Sequence, residues 1–159
     1  GAEPNHLSLV ERIDEPSGVK VARYEQRPFR YPLRGGFGSL VIRFRNNWQL
    51  IGFSSNCIPN TDRLLATLSG LTAKVTGEQA VNQVKTQPVT FLNAASQQQT
   101  ISLPANATVE ARQLVVYARP AKDPPSGLEI RLAWEIDVTN GPIKQVYLDA
   151  ISNEIIATS

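Results

Sequence analysis

The sequence has no methionine, one cysteine (Cys57) and one histidine (His6), and each shortage removes a class of chemistry. A lone cysteine permits no internal disulfide, and it says little about the redox compartment. A single histidine excludes an internal HExxH zinc helix, and with one cysteine it cannot build the usual structural zinc site. A Ser-His-Asp triad or a Cys-His pair would depend on His6, close to a terminus that tends to fray, so His6 reads as a surface residue. Cys57, within SSNCIPN, has no histidine or charged neighbour in sequence to activate it and reads as a packed or half-buried thiol. No phosphate-cradling GxGxxG or GxxxxGK[ST] pattern occurs. No apolar run approaches the roughly 18 residues of a membrane span, and no hydrophobic signal-peptide core opens the chain. With no methionine and a Gly1-Ala2 start that reads as a cloning remnant, the chain is expected to be an excised or processed piece of a longer precursor. A removed leader stays open. These shortages point away from catalysis, with no cofactor and no metal expected.

What is present is enough for a core. A chain of 159 residues, 42% of them hydrophobic, can fill one compact domain or two small lobes. The strongest pattern is at the end, GLEIRLAWEIDVTNGPIKQVYLDAISNEIIATS from Gly127 to Ser159, which reads as three antiparallel strands. Ile130, Leu132, Trp134, Ile136 and Val138 alternate with Glu129, Arg131, Ala133, Glu135 and Asp137, the period-2 signature of a strand half buried on one face. Asn140-Gly141 supplies a turn. A two-residue hairpin there would set Ile136 against Gln145 and Glu135 against Val146, apolar against polar on both faces. A one-residue slip repairs this, so a longer or bulged turn is expected, pairing Ile136 with Val146 and Trp134 with Leu148.

Upstream, LSLVERI (7–13) and Val19–Gln26 read as strands joined by a Glu15-Pro16-Ser17-Gly18 turn. RPFRYPLRGGFG, broken by two prolines and three glycines, suggests a crossing loop or bulged edge. Leu40–Phe44 and Trp48–Phe53 flank Asn46-Asn47, and a two-residue turn pairs Ile42 with Ile51 and Leu40 with Phe53. TDRLLATLSG reads either as a helical turn or as an extended connector. Thr76 opens a better helix: it can cap the backbone, Gln79 completes a capping box, and Ala80, Val81 and Val84 form one apolar stripe to pack on the terminal sheet. Residues 86–108 form a polar insertion around a VTFLN and TISL strand pair. QLVVYAR (113–119) is a further strand, and AKDPPSG an exposed loop.

The net charge of +2 conceals an asymmetry: residues 20–45 hold seven basic side chains and only Glu25. Lys20, Arg23, Arg27, Arg30, Arg34, Arg43 and Arg45 are interleaved with Tyr24, Phe29, Tyr31, Phe37 and Phe44, a mixture that suits nucleic acid. The simpler reading is a solvated strand face whose long stems cover apolar surface, and no nucleic-acid partner is assigned. Glu135 and Asp137 lie on one strand face, roughly 7 Å apart by strand rise, which suits acid-base work or a weakly held cation. Ordinary cross-strand pairing with Arg131 and Lys144 is simpler. Asn106-Ala107-Thr108 matches a glycosylation acceptor, informative only on a eukaryotic secretory route.

RLAWEIDV followed by VYLDAISNEIIATS resembles the PepSY pattern, in which a Leu-Ala-Trp strand precedes Val-Tyr-x-Asp-Ala and a Gly-Glu turn. Asn153 stands where that pattern usually has glycine, and asparagine is the next best residue for positive φ. VTGEQAVNQVK resembles the helix of that domain and QLVVYARP its following strand. GSLVIRF with NWQLIGFSSNCIPN resembles the hairpin of the FTP motif, ending near an Asn-x-x-Pro step. Together these cover about residues 19–159 and resemble the propeptide region of fungalysin and thermolysin-like secreted metallopeptidases. Two departures stand out: YPLRGGFG replaces the usual Gly-Val-Pro-Val step, and 86–108 is an insertion.

The resemblance implies an α+β fold of curved antiparallel sheets with a short packed helix: a small β-rich FTP-like lobe at 1–60, a connector at 61–75 and a cystatin-like PepSY domain at 76–159. It also implies secretion or a periplasmic location, a metallopeptidase partner in cis or trans, and inhibition and chaperoning without catalysis. The partner-binding residues are expected at the end of the closing hairpin: Tyr147, Asp149, Asn153 and Glu154. The alternative is a stand-alone binding module for a foreign peptidase or an anionic envelope polymer, with Arg23, Arg27, Arg30 and Arg34 as the candidate anion contacts.

Overall fold

Alternating apolar residues, punctuated by turn-forming glycine, asparagine and proline, give a chain dominated by antiparallel strands with two short helices, an α+β class. A computed structural model describes residues 7–92, 95, 97–121 and 127–159. Gly1-Ala2, His6 and most of the AKDPPSG loop lie outside the described residues. In chain order the elements are β1 (Leu7–Asp14), β2 (Lys20–Gln26), β3 (Leu33–Arg34), β4 (Ser39–Phe44), β5 (Leu50–Ser55), α1 (Thr61–Ser69), α2 (Gly77–Thr86), β6 (Val89–Leu92), β7 (Gln98–Ile101), β8 (Thr108–Pro120), β9 (Leu128–Thr139), β10 (Gln145–Asp149) and β11 (Ile155–Thr158). The strands form a four-stranded sheet β1-β2-β4-β5, a five-stranded sheet β11-β10-β9-β8-β3 and the β6-β7 pair. Two compact units emerge, one drawn from Gly1–Gly70 and Ala118–Ile130, the other from Leu71–Tyr117 and Arg131–Ser159. Each unit takes two segments of chain, because the long strands β8 and β9 contribute residues to both.

In the first unit, β1 and β2 are joined by a turn in which Glu15 N–H donates to Val19 O (2.8 Å) and Gly18 N–H to Glu15 O (2.9 Å), with Gly18 at φ +82°. Val21, Phe29 and Ile58 are buried. Gln26 is buried too, and its side chain acts as a strand neighbour: Nε2 donates to Ile58 O (2.9 Å) and Oε1 accepts from Ile58 N (2.7 Å). Both ends of that amide are therefore satisfied, as burial requires. The Arg-rich stretch contributes the two-residue β3. Gly35, at φ +103°, passes so close to the Ala118 carbonyl that any Cβ would collide with it. TDRLLATLSG, open between helical turn and connector in the sequence, forms the nine-residue α1, opened by Asn60 at φ 53°.

The β4–β5 register corrects the sequence expectation. Ile42 pairs with Phe53 and Leu40 with Ser55, not with Ile51 and Phe53. The turn holds three residues: Trp48 N–H donates to Arg45 O and Arg45 N–H to Gln49 O (both 2.8 Å), with Trp48 in the left-handed region at φ +64°. A type I turn followed by a left-handed residue is the usual three-residue hairpin. The longer turn carries the partner of Phe44 one place further along β5, and the bulge between Arg43 and Phe44 carries those of Leu40 to Arg43 two places further.

In the second unit the expectations hold closely. Thr76 Oγ1 accepts from Gln79 N (3.1 Å) while Gln79 Oε1 accepts from Thr76 N (3.0 Å), the reciprocal capping box. The apolar stripe of α2 packs on the sheet: Ala80 and Val84 join Val89, Val109, Ile136, Val138, Ile143, Val146 and Leu148 in one buried core, with Val81 and Trp134 against it. β9 and β10 pair Ile136 with Val146 and Trp134 with Leu148, after a longer turn closed by Val138 N–H to Lys144 O (2.8 Å), with Asn140 at φ +60°. Trp134 is only half buried, and its indole Nε1 donates to Val75 O (2.8 Å). β9 is not half buried on one face alone: Ala133 and Glu135, on its other face, are buried as well.

Candidate functional site

That second face of β9 and β10 carries two of the four residues singled out at the closing hairpin, Tyr147 and Asp149, while Asn153 and Glu154 lie in the turn into β11. Tyr147 points away from Val146 and Leu148, as alternation requires, but it is buried (7% exposed) and not available as a surface contact. Its ring tilts against Tyr117 at 4.7 Å between centroids, beside buried Val115 and Ala133. Its hydroxyl is within hydrogen-bond reach of Glu135 Oε2 (3.1 Å) and Gln145 Oε1 (3.2 Å). Glu135, only 1% exposed, also accepts from Gln113 Nε2 (3.1 Å). The Arg131 guanidinium donates to Asp149 (2.9 Å), while Asp137 accepts from Gln145 (3.2 Å) and faces Arg112 at 4.0 Å. The cross-strand pairing of Asp137 with Lys144 is thus corrected. Gln145 on the neighbouring strand and the Arg112 guanidinium take that place.

Asp149 is likewise buried (5% exposed). Its Oδ1 accepts from the backbone of Ile151 (2.8 Å) and Ser152 (2.9 Å), and so shapes the turn into β11. Burial alone would raise its pKa, but the Arg131 bond and charge together with those two N–H groups outweigh it and hold the carboxyl below its usual range. Asn153 supplies the positive φ (+65°) that the turn needs, and its N–H donates to Asp149 O (3.0 Å). Of the four residues only Glu154 is exposed. The hairpin end is therefore built chiefly from groups spent on internal bonds.

The arginines are spread out. Arg23 pairs with Glu11 (3.1 Å) and Arg27 with Glu25 (3.4 Å), both in solvent. Arg30 lies over the Tyr31 ring at 5.5 Å, and Arg34 is half buried and donates to Leu33 O (3.2 Å). Cys57 is half buried, as its sequence context implied. Among the described residues, no group of three His, Cys, Asp or Glu is placed to hold a metal ion, and no helix is long and apolar enough to cross a membrane.

Sequence reasoning missed the most exposed apolar surface among the described residues, which is the β4–β5 hairpin. Trp48 is 67% and Phe53 72% exposed, with Leu50 and Ile51 also exposed beside them. Phe44, Leu50 and Phe53 share one sheet face by pairing, since Ile42 opposes Phe53 and Phe44 opposes Leu50. The Trp48 ring meets Phe44 edge-on at 6.1 Å, and Lys20 Nζ sits 5.1 Å over it. The signal was legible: NWQLIGFSS places four large apolar residues in a segment with no charge. Compared with known protein families and with curated proteins, the chain matches none.

Proposed function

We propose that the chain is a non-catalytic prodomain that inhibits a secreted zinc metallopeptidase encoded in the same precursor and chaperones its folding. The observation that carries this reading is the exposed apolar surface of Trp48, Leu50, Ile51 and Phe53. Large contiguous apolar surface is uncommon on a chain that works alone and marks a surface that a protein partner covers. The capped helix on an antiparallel sheet in the second unit agrees with the PepSY-like resemblance of the motifs that lie there. Chaperoning needs no reacting group: a domain that binds only the native-like peptidase stabilises it by mass action. Titrating the peptidase of the same precursor with this chain should give saturable inhibition. Full activity at large molar excess, with the chain shown to be folded, would defeat the proposal, as would a precursor reading frame with no HExxH domain.

A second reading, a stand-alone binding module for a foreign peptidase or an anionic envelope polymer, is favoured by one observation. Arg43 and Arg45 are exposed, and no carboxylate among the described residues pairs with them.

A further inference from the structure

The two edges of the four-stranded sheet are guarded differently. β1 carries Glu11, Arg12 and Asp14 and a bulge between Leu9 and Glu11, the charges and irregularity with which edge strands ordinarily block pairing with another chain. β5 has no charged residue and no proline in Leu50–Ser55, and its own bulge lies at its start, leaving Gly52–Ser55 in regular register with Arg43–Leu40. Asn56 N–H turns inward to Ser39 O (3.0 Å), in register with the β4–β5 ladder. Antiparallel pairing alternates, so Ser54 and Gly52 also turn inward, whereas the N–H and C=O groups of Phe53 and Ser55 point out from the edge.

The flanking chemistry selects what pairs there. Residues 39–60 contain Arg43 and Arg45 and no aspartate or glutamate. Arg43 stands opposite Gly52, where nothing lies within 4 Å of the place a Cβ would take. The missing side chain opens a path across β5 from Arg43 to whatever lies beyond the edge. Neighbouring strands are about 4.8 Å apart, within the span of an arginine reaching toward a carboxylate on the next strand but one. On the other face, Phe53 and Leu50 offer apolar contact. A second copy of this chain would bring the same cations to the edge and no carboxylate from its own β5.

We infer that β5 accepts an extended segment of a partner protein as an added antiparallel strand, a segment whose residues alternate between apolar side chains over Phe53 and acidic ones toward Arg43. Backbone hydrogen bonds to Phe53 and Ser55 supply the affinity and the alternation supplies the specificity. This rests on the reading of the β4–β5 hairpin as a protein-binding surface and not on the partner being a peptidase.

The probe is an eight-residue peptide alternating valine and glutamate, compared with its valine-lysine counterpart, on the wild-type chain and on Ser55→Pro and Ser55→Ala. Proline removes an outward N–H and leaves the β4–β5 ladder intact; alanine controls for the lost hydroxyl. The expected result is saturable binding of the acidic peptide, at least tenfold weaker for the lysine peptide and for Ser55→Pro, and unchanged for Ser55→Ala. In the wild-type chain, which needs no variant to fold, the amides of Phe53 and Ser55 should gain hydrogen-exchange protection on binding while those of Gly52 and Ser54 do not. No saturable binding, binding without that protection, or the same protection arising by self-association without peptide would each overturn the inference. Undiminished binding of the acidic peptide by Ser55→Pro would overturn strand addition alone and leave the inhibitor reading standing. Peptide binding with the stated protection, in a chain that inhibits nothing, would uphold strand addition and remove the inhibitor.

Discussion

Gly18 and Trp48 hold the same position in two turns of one geometry. Each N–H donates to the carbonyl three residues back, each turn is closed by a 2.8 Å bond across it, and φ is +82° and +64° respectively. A side chain with a Cβ costs about 1–2 kcal/mol in that region and glycine costs nothing there. Trp48 offsets the cost through the Phe44 edge contact and the Lys20 ammonium, each about 0.5–1 kcal/mol at an exposed site. Trp48→Gly should therefore leave the urea midpoint almost unmoved, within about 1 kcal/mol. Gly18→Ala should cost about 1–2 kcal/mol, since its Cβ would also lie 2.6 Å from Asn46 Nδ2. A large loss in Trp48→Gly would make Trp48 a packing residue and remove the argument that its exposure serves a partner.

Trp134 tests the second unit. Its ring packs against the core between α2 and the sheet, and its indole N–H is bonded to Val75 O. Because the ring is half buried, Trp134→Ala should cost about 3 kcal/mol, the low end for a core aromatic. Trp134→Phe, which removes the donor and keeps most of the ring, should cost about 1 kcal/mol. Equal losses in the two variants would mean that the ring contributes nothing beyond its hydrogen bond.

Asp149 gives the pH dependence a sign. Its folded pKa lies below the ordinary value, so the unfolded chain takes up a proton first as pH falls. The contribution is complete above about pH 4, where the unfolded aspartate is ionised, and is lost as pH falls through the depressed folded pKa. The stability difference between the wild-type chain and Asp149→Asn should thus be largest near neutrality and shrink below about pH 4. A difference that stays constant across that range would show that the Arg131 bond does not favour the ionised form.

How much of this was legible differs from element to element. The β9–β10 register could be read because the simple hairpin set Ile136 against Gln145, a conflict only a longer turn resolves. Helix α2 could be read because Thr76 and Gln79 are spaced for a reciprocal cap. The β4–β5 register could not, since nothing in the sequence marks tryptophan as a left-handed residue, and the two-residue turn gave a more apolar but wrong set of partners. Alternation also says which face a side chain takes but not how far it reaches. Alternation puts Tyr147 on the face away from Leu148, but its ring lies against Tyr117 and its hydroxyl closes over Glu135, so it is not the surface contact expected of it.

That Tyr147 to Glu135 bond carries a fourth prediction. Glu135 is almost fully buried, and its carboxylate depends on donors from neighbouring strands. Tyr147→Phe leaves it one donor short and should cost about 1–3 kcal/mol. In Glu135→Gln the same tyrosine substitution should cost less, a coupling of about 1 kcal/mol in a double-mutant cycle. Additive losses would make the ring stacking on Tyr117, and not the hydroxyl, the contribution of Tyr147.

The basic residues separate the two functional readings. Arg23 and Arg27 already face Glu11 and Glu25 in solvent, so each pair contributes under about 1 kcal/mol, and reversing Arg23, Arg27 and Arg30 to glutamate should leave the fold intact. Those carboxylates also offset part of the positive potential that Arg23 and Arg27 present to an anionic polymer. Arg43 and Arg45 have no such partner among the described residues, so their field is the less compensated. On heparin at low salt, Arg43→Ser with Arg45→Ser should therefore lose more retention per charge removed than the triple reversal does. Both differences should fade as added salt shortens the screening length toward about 3 Å near 1 M. If the wild-type chain is not retained on heparin even at low salt, the anionic-polymer reading falls, and Arg43 and Arg45 are left to recognise a carboxylate-bearing protein strand. If it is retained but the two substitutions make no difference, the charge that matters lies elsewhere, and the reasoning that unpaired arginines dominate the first unit's field is wrong.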